Sequence, residues 1–170
     1  MKHSLEHVDR EKLYTAVRAS LKNEDGWARG QVATLYKRLS FEEIEPLLPA
    51  IYEAVVEAAP SGKMFADQVR LAGLDVLAEH RIEEGISECV NLIDRGRWGS
   101  GKRIPKCLKT LQRYGTAAQK VGPELKAIKR EIKSKKQLSD NEKKQIQLLD
   151  ETLRIIEGNS APPKLRSLSN

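Results

Sequence analysis

The residues best suited to chemistry in this chain gather between Gly96 and Arg113. Gly96-Arg97-Trp98-Gly99-Ser100-Gly101-Lys102-Arg103 has the G-x-x-x-x-G-K spacing of a phosphate loop, in which backbone N–H groups cradle phosphates and a lysine neutralises them. Arg103 stands where such a loop needs a serine or threonine hydroxyl for magnesium, and Ile86 to Ile93 ahead of it has helical rather than strand periodicity. Nucleotide hydrolysis is therefore not expected. Two readings remain. One is a plain glycine-rich connection with Ser100 near a helix start; the other is an anion site built from N–H groups at that start, with Lys102 and Arg103. Beyond it, Lys102, Lys106, Lys109 and Arg113 advance by four, three and four, which on a helix is one face. Lys126, Lys129, Arg130, Lys133, Lys135 and Lys136 continue the positive surface. Such a row either contacts phosphates with salt-sensitive affinity or is simply a solvated face. Trp98 and Tyr114 are the nearby aromatics, a poor stacking platform for single-stranded nucleic acid. The candidate partner- or anion-binding residues are thus Trp98, Lys102, Arg103, Lys106, Lys109 and Arg113.

Other constellations carry less. His3 and His7 are four apart and could share a metal on a helix, but they sit at a terminus expected to fray, with His80 far away. No Ser/His/Asp or Cys/His set can be assembled from them. Glu83-Glu84 and the Glu42, Glu43, Glu45 cluster belong to first helical turns, where carboxylates favour the helix dipole. Cys89 and Cys107 fall on apolar helical positions without metal-like spacing and read as buried free thiols of a reducing compartment. No catalytic residue, cofactor or metal is expected.

The whole chain bounds these readings. Its 170 residues suit one ordinary domain, and 39% hydrophobic residues suffice for a core. The net charge of +6 is unevenly placed: residues 101–144 hold 14 Lys or Arg against 4 Asp or Glu, whereas residues 1–100 hold 13 against 17. No run approaches the ~18 apolar residues of a membrane helix, and the polar start lacks the apolar stretch of a signal peptide, so a cytoplasmic protein is expected.

The elements that would position these residues are helices throughout. Leu13, Val17 and Leu21 predict a helix over about 10–22 with Asp9 as N-cap, and Trp27 to Leu39 predicts a second. Ser40 and Glu43 form a capping box, and Pro46 and Pro49 mark a restart that runs to Ala59. Phe65 to His80, a helix begun by Arg81 and reaching Ile93, Ile104 to Tyr114, Ala118 to Ile132 with a break at Gly122-Pro123, and Ile146 to Ile156 complete the set. Residues 133–144 are polar and mostly basic, and the tail 159–170, with Pro162-Pro163, predicts disorder behind a single domain over 1–158.

A repeat runs through this pattern. Leu74, Leu77 and Ile93 are echoed by Leu108, Leu111 and Ile128, and His80-Arg81 by Tyr114-Gly115, at 34 or 35 residues. Asp67-Gln68-Val69-Arg70-Leu71-Ala72-Gly73-Leu74, and Leu108 to Ala118 followed by Val121-Gly122-Pro123-Glu124-Leu125, resemble the HEAT repeat family in its short form. Two units match over roughly 64–130 and a third, over 27–59, only loosely; Arg103-Ile104 stands where the first unit has Val69-Arg70. The resemblance implies an all-α, right-handed α-solenoid of antiparallel helix hairpins whose concave face binds a partner, and implies no chemistry. It also invites comparison with alkylpurine DNA glycosylases built on such repeats; Asp67, Asp75 and Trp98 are available residue types, but no motif of theirs matches. The expectation is a non-enzymatic module for protein–protein interaction. The alternative is binding of nucleic acid or a phosphate ligand through the basic 102–136 surface.

Overall fold

A computed structural model describes residues 8–168. They are all-helical, with no strand among them and two isolated β-bridges. They divide into two compact units, the first ending at Gly73 and the second starting at Leu74, where the sequence predicts one domain. The His3 and His7 pair lies outside the described residues.

The first unit opens with α1 (Arg10–Leu21), capped by the Asp9 carboxylate accepting from Lys12 N–H. In α2 (Gly26–Ala33) Asp25 caps in the same way, accepting from Trp27 N–H. The predicted second helix does not run on to Leu39: it gives way to a 3₁₀ turn at Tyr36–Arg38. The buried residues there, Gly30, Ala33, Tyr36 and Leu39, recur every three positions, a spacing that three residues per turn stacks on one side. The Ser40–Glu43 capping box forms, starting α3 (Phe41–Ile44). Pro46 and Pro49 each sit in a first turn, of the 3₁₀ segment Glu45–Leu47 and of α4 (Leu48–Val56). Leu47, Ile51 and Val55 of this stretch are fully buried with Val17 and Leu21 of α1. Gly73, in α5 (Ala66–Glu79), approaches α4 so closely that a Cβ there would overlap Val55 Cγ2 and lie 3.3 Å from Ile51 Cγ2.

In the second unit the turn after α5 has a defined geometry. Ile82 N–H donates to Leu77 C=O at 2.8 Å and Arg81 N–H to Ala78 C=O at 3.2 Å, the paired bonds of a Schellman ending. Arg81 occupies the left-handed position of that motif, with φ 55°, where glycine is favoured. Arg81 therefore closes α5 instead of beginning the next helix as predicted, and α6 (Glu84–Asn91) starts three residues later. Then come α7 (Ser100–Tyr114), a 3₁₀ turn at Gly115–Val121, α8 (Gly122–Lys133) and α9 (Asp140–Ile156). Helix α9 packs on both α7 and α8, and Ser139 with Glu142 forms a second capping box at its start. Positions 34 residues apart share environments here. Leu74 and Leu108 are both fully buried, as are Leu77 and Leu111. Arg81 and Gly115 both take positive φ, 55° and 57°.

The tail departs from its composition. Residues 166–168 run beside the α5–α6 turn, with Glu83 N–H donating to Arg166 C=O and Arg166 N–H to Arg81 C=O, both at 2.9 Å. Ser167 Oγ and Leu168 N–H donate to the Glu84 carboxylate at 2.8 and 3.0 Å. Prolines and polar residues predict disorder, yet the backbone donors and acceptors of the α5–α6 turn, Glu83 N–H and Arg81 C=O, find their partners at Arg166. Burial works against the Glu84 charge. The hydrogen bonds from its own backbone, Ser167 and Leu168, with the field of Lys120, outweigh it and hold the carboxyl below its usual range.

Candidate interaction surfaces

The glycine-rich loop between α6 and α7 is built around one buried side chain. Arg103, 1% exposed, turns back from the first turn of α7 into the loop. Its Nε donates to Leu92 C=O at 2.9 Å, and its two terminal nitrogens reach Trp98 C=O at 2.9 Å and Asp94 C=O at 2.7 Å, with Arg97 C=O at 3.4 Å. A planar guanidinium with five donors in a fixed fork can gather several carbonyls in this way. Arg103 is thus an organiser of the loop and not a surface cation. This corrects its assignment as a contact residue. At the helix start, Ser100 N–H donates to Arg97 C=O, and Lys102 and Arg103 N–H both donate to Gly99 C=O. Gly99 makes the entry possible, since its φ of 83° suits a residue without a side chain. No strand precedes the loop, only α6.

The result of this fastening is Trp98, whose carbonyl is held from inside while the residue is 84% exposed. Arg95 fastens the same loop outward, pairing with Glu131 of α8 at 2.8 Å and Glu142 of α9 at 3.0 Å. Glu142 also takes Lys135 at 2.6 Å. The Lys135 ammonium beside it, followed by the hydrogen bonds from Ser139, holds its carboxyl down to about 2.

The row of cations on α7 is split. Lys106 pairs with Asp75 of α5 at 2.6 Å, Arg113 lies 3.5 Å from the same carboxylate, and Thr110 Oγ1 donates to it at 3.3 Å. Residues 106, 110 and 113 therefore bind α7 to α5. Lys102 and Lys109 point outward, exposed and without an ion pair among the described residues. Of the six predicted residues, Trp98, Lys102 and Lys109 remain on the surface. Lys106 and Arg113 are half committed to Asp75, and Arg103 is internal. Asp75 itself is occupied by these cations.

A second basic surface flanks the groove between α8 and α9. Pro123, Lys126, Lys129, Arg130 and Lys133 line it from α8, and Asp150, Leu153 and the C-cap Glu157 from α9, around a volume of about 780 Å³. Lys126 reaches Glu157 at 2.7 Å and Lys129 reaches Asp150, so ion pairs cross the groove. Arg130 and Lys133 have no acidic partner among the described residues. The sequence identifies these cations but not the groove, because its opposite wall, with Asp150, Leu153 and Glu157, comes from α9 and its C-cap, some 20 residues on.

Cys89 and Cys107 are buried free thiols. Burial, and then the proximity of Cys107, push the Cys89 thiol well above its ordinary range, the opposite of what a nucleophile requires. Among the described residues no three His, Cys, Asp or Glu side chains come together as a metal set, and no helix is long and apolar enough to cross a membrane. Comparisons with protein-family models, with curated proteins and with solved structures find no match to this chain.

Proposed function

We propose that this chain is a non-enzymatic, HEAT-like helical-repeat module that binds a protein partner, with the Trp98 loop as its principal contact. The repeat part of the reading is supported by the 34-residue correspondence of buried leucines and of the two positive-φ turns. An α-solenoid of hairpins, each burying its stripe against the next, would follow from it. The binding part rests on one observation. Trp98 is 84% exposed, yet its loop is pinned by a buried arginine. Leaving an indole in water forfeits roughly 2–3 kcal/mol of burial. A loop whose backbone is already fixed also loses little further freedom on binding, which is how aromatic anchors at interfaces gain affinity.

The test is quantitative affinity capture from the native extract with wild-type protein and Trp98→Ala. The expected result is loss of a stoichiometric protein partner at unchanged melting temperature; equal capture by the variant overturns the reading. The second reading, contact with nucleic acid or a phosphorylated ligand, is favoured by outward Lys102 and Lys109, which carry no ion pair among the described residues. It predicts DNA retention that falls steeply with salt and disappears in Lys102→Gln with Lys109→Gln. Retention unchanged at 0.5 M salt removes it.

A further inference from the structure

The α8–α9 groove differs from the Trp98 loop in kind: it is concave, lined by Leu153 and Pro123 as well as by charged groups, and cationic along its α8 wall. On α8, residues 126, 129, 130 and 133 follow the i, i+3, i+4, i+7 spacing of one helix face. Four cations meet two carboxylates there. The two carboxylates are each taken by a lysine, Glu157 by Lys126 and Asp150 by Lys129. Arg130 and Lys133, one turn apart, are left to set the field of the groove. Leu153, Pro123 and the carbon stems of the lysines supply the apolar contribution. Its volume of about 780 Å³ is in the range of specific binding sites. The cationic row extends about 10 Å along the helix, the length of two helical turns.

We propose that this groove docks an acidic segment of a partner protein, whose carboxylates, spaced one helical turn apart, face Arg130 and Lys133 while an apolar side chain rests on Leu153 and Pro123. The proposal rests on the protein-interaction reading above and adds the partner's chemistry. Charge complementarity selects the acidic partner. The apolar lining by Leu153 and Pro123 selects a peptide over a nucleic acid backbone, which would present phosphates and sugars to Leu153 and finds no aromatic stacking surface among the lining residues.

The full chain is titrated against a fluorescein-labelled 14-residue peptide, glutamate-rich with leucine at every third or fourth position, and anisotropy is read at low salt. Wild type is expected to bind saturably. Arg130→Glu with Lys133→Glu should weaken binding at least tenfold, and Arg130→Gln with Lys133→Gln to an intermediate degree. Neither variant removes the ion pairs that cross the groove, so both should melt as wild type does. Replacing the peptide's leucines with alanine should also weaken binding at least tenfold. Trp98→Ala should leave the titration unchanged, so failure of the Trp98 reading and failure of this one are separable. The proposal is overturned by absence of saturable binding to wild type. Binding by the Glu variant within twofold of wild type overturns it as well, as does equal binding of the leucine-free peptide. Tighter, groove-dependent binding of a 20-base-pair DNA duplex would assign the site to nucleic acid instead.

Discussion

Replacing Arg103 separates a loop organiser from a surface cation. In Arg103→Met the aliphatic stem is kept and the guanidinium is lost, so packing changes little while the carbonyls of Leu92, Asp94 and Trp98 lose their donors. Hydrogen bonds from a charged donor contribute about 1.5–3 kcal/mol each, and an acceptor left buried without a partner costs about 1–3 kcal/mol. The Leu92 bond is buried, whereas those to Asp94 and Trp98 are partly open, so water can replace the donor at the latter two. The expected loss is therefore about 3–5 kcal/mol, a large share of an ordinary domain's 5–15 kcal/mol. A drop of roughly 15–25 °C in melting temperature corresponds to this for a unit of about 100 residues. Guanidinium unfolding followed by far-ultraviolet circular dichroism measures it. Arg103→Lys sharpens the result: an ammonium keeps the charge but cannot span three carbonyls, so it should recover less than half of the loss. If Arg103→Met unfolds within 1 kcal/mol of wild type and instead loses affinity for heparin or DNA, the side chain is a ligand of anions and the internal assignment is refuted.

The remaining predictions are local. Arg81→Gly should stabilise the protein by about 0.5–1 kcal/mol, because relief of a left-handed backbone at φ 55° outweighs the entropy glycine adds to the unfolded chain; a lower urea midpoint would contradict the Schellman reading of this turn. Gly73→Ala should destabilise by about 1–2 kcal/mol despite alanine's better helix propensity, since the new methyl overlaps Val55, and Val55→Ala should suppress much of that loss in a double-mutant cycle. The Glu142 carboxyl is depressed in the fold from 4.5 to about 2, so its stabilising effect is present above pH 4.5 and is lost as pH falls toward 2. Thermal melts of wild type and Glu142→Gln should differ at pH 6 and converge near pH 2; a gap independent of pH would assign the effect of Glu142 to packing.

What the sequence made legible follows the range of the interactions involved. The Asp9 cap and the Ser40–Glu43 box are closed by partners three residues away, and Pro46 and Pro49 act through their own backbone, so residue types were enough. The helical class and the buried leucines followed from periodicity. Arg103 reads in the sequence as a surface cation because its partners are backbone carbonyls, which every residue possesses and no pattern of side chains marks. The α7 cations read correctly as a row, but the row faces two ways. Asp75, 31 residues before Lys106, neutralises one edge of it, and that pairing is set by how α5 and α7 pack. The second helix was overextended because a spacing of three fits a loose α-helical pattern as well as a 3₁₀ turn. The Ser139–Glu142 box lies inside a segment whose mostly basic composition masks it.

The strand-like meeting of residues 166–168 with the Arg81–Glu84 turn also constrains the order in which the second unit can be completed. Its hydrogen bonds join positions 83 and 84 residues apart, a longer span than that between α7 and α9 or between Asp75 and Lys106. Helical hairpins close quickly because their ends are near in sequence, whereas a loop of this length must be drawn together before the contact returns any free energy. The contact therefore forms late: the helices of the unit can pack first, and Glu83 N–H and the Glu84 carboxylate stay solvated until residues 166–168 dock on the α5–α6 turn. In hydrogen exchange, Glu83 and Arg166 should gain protection together and after the amides of α7.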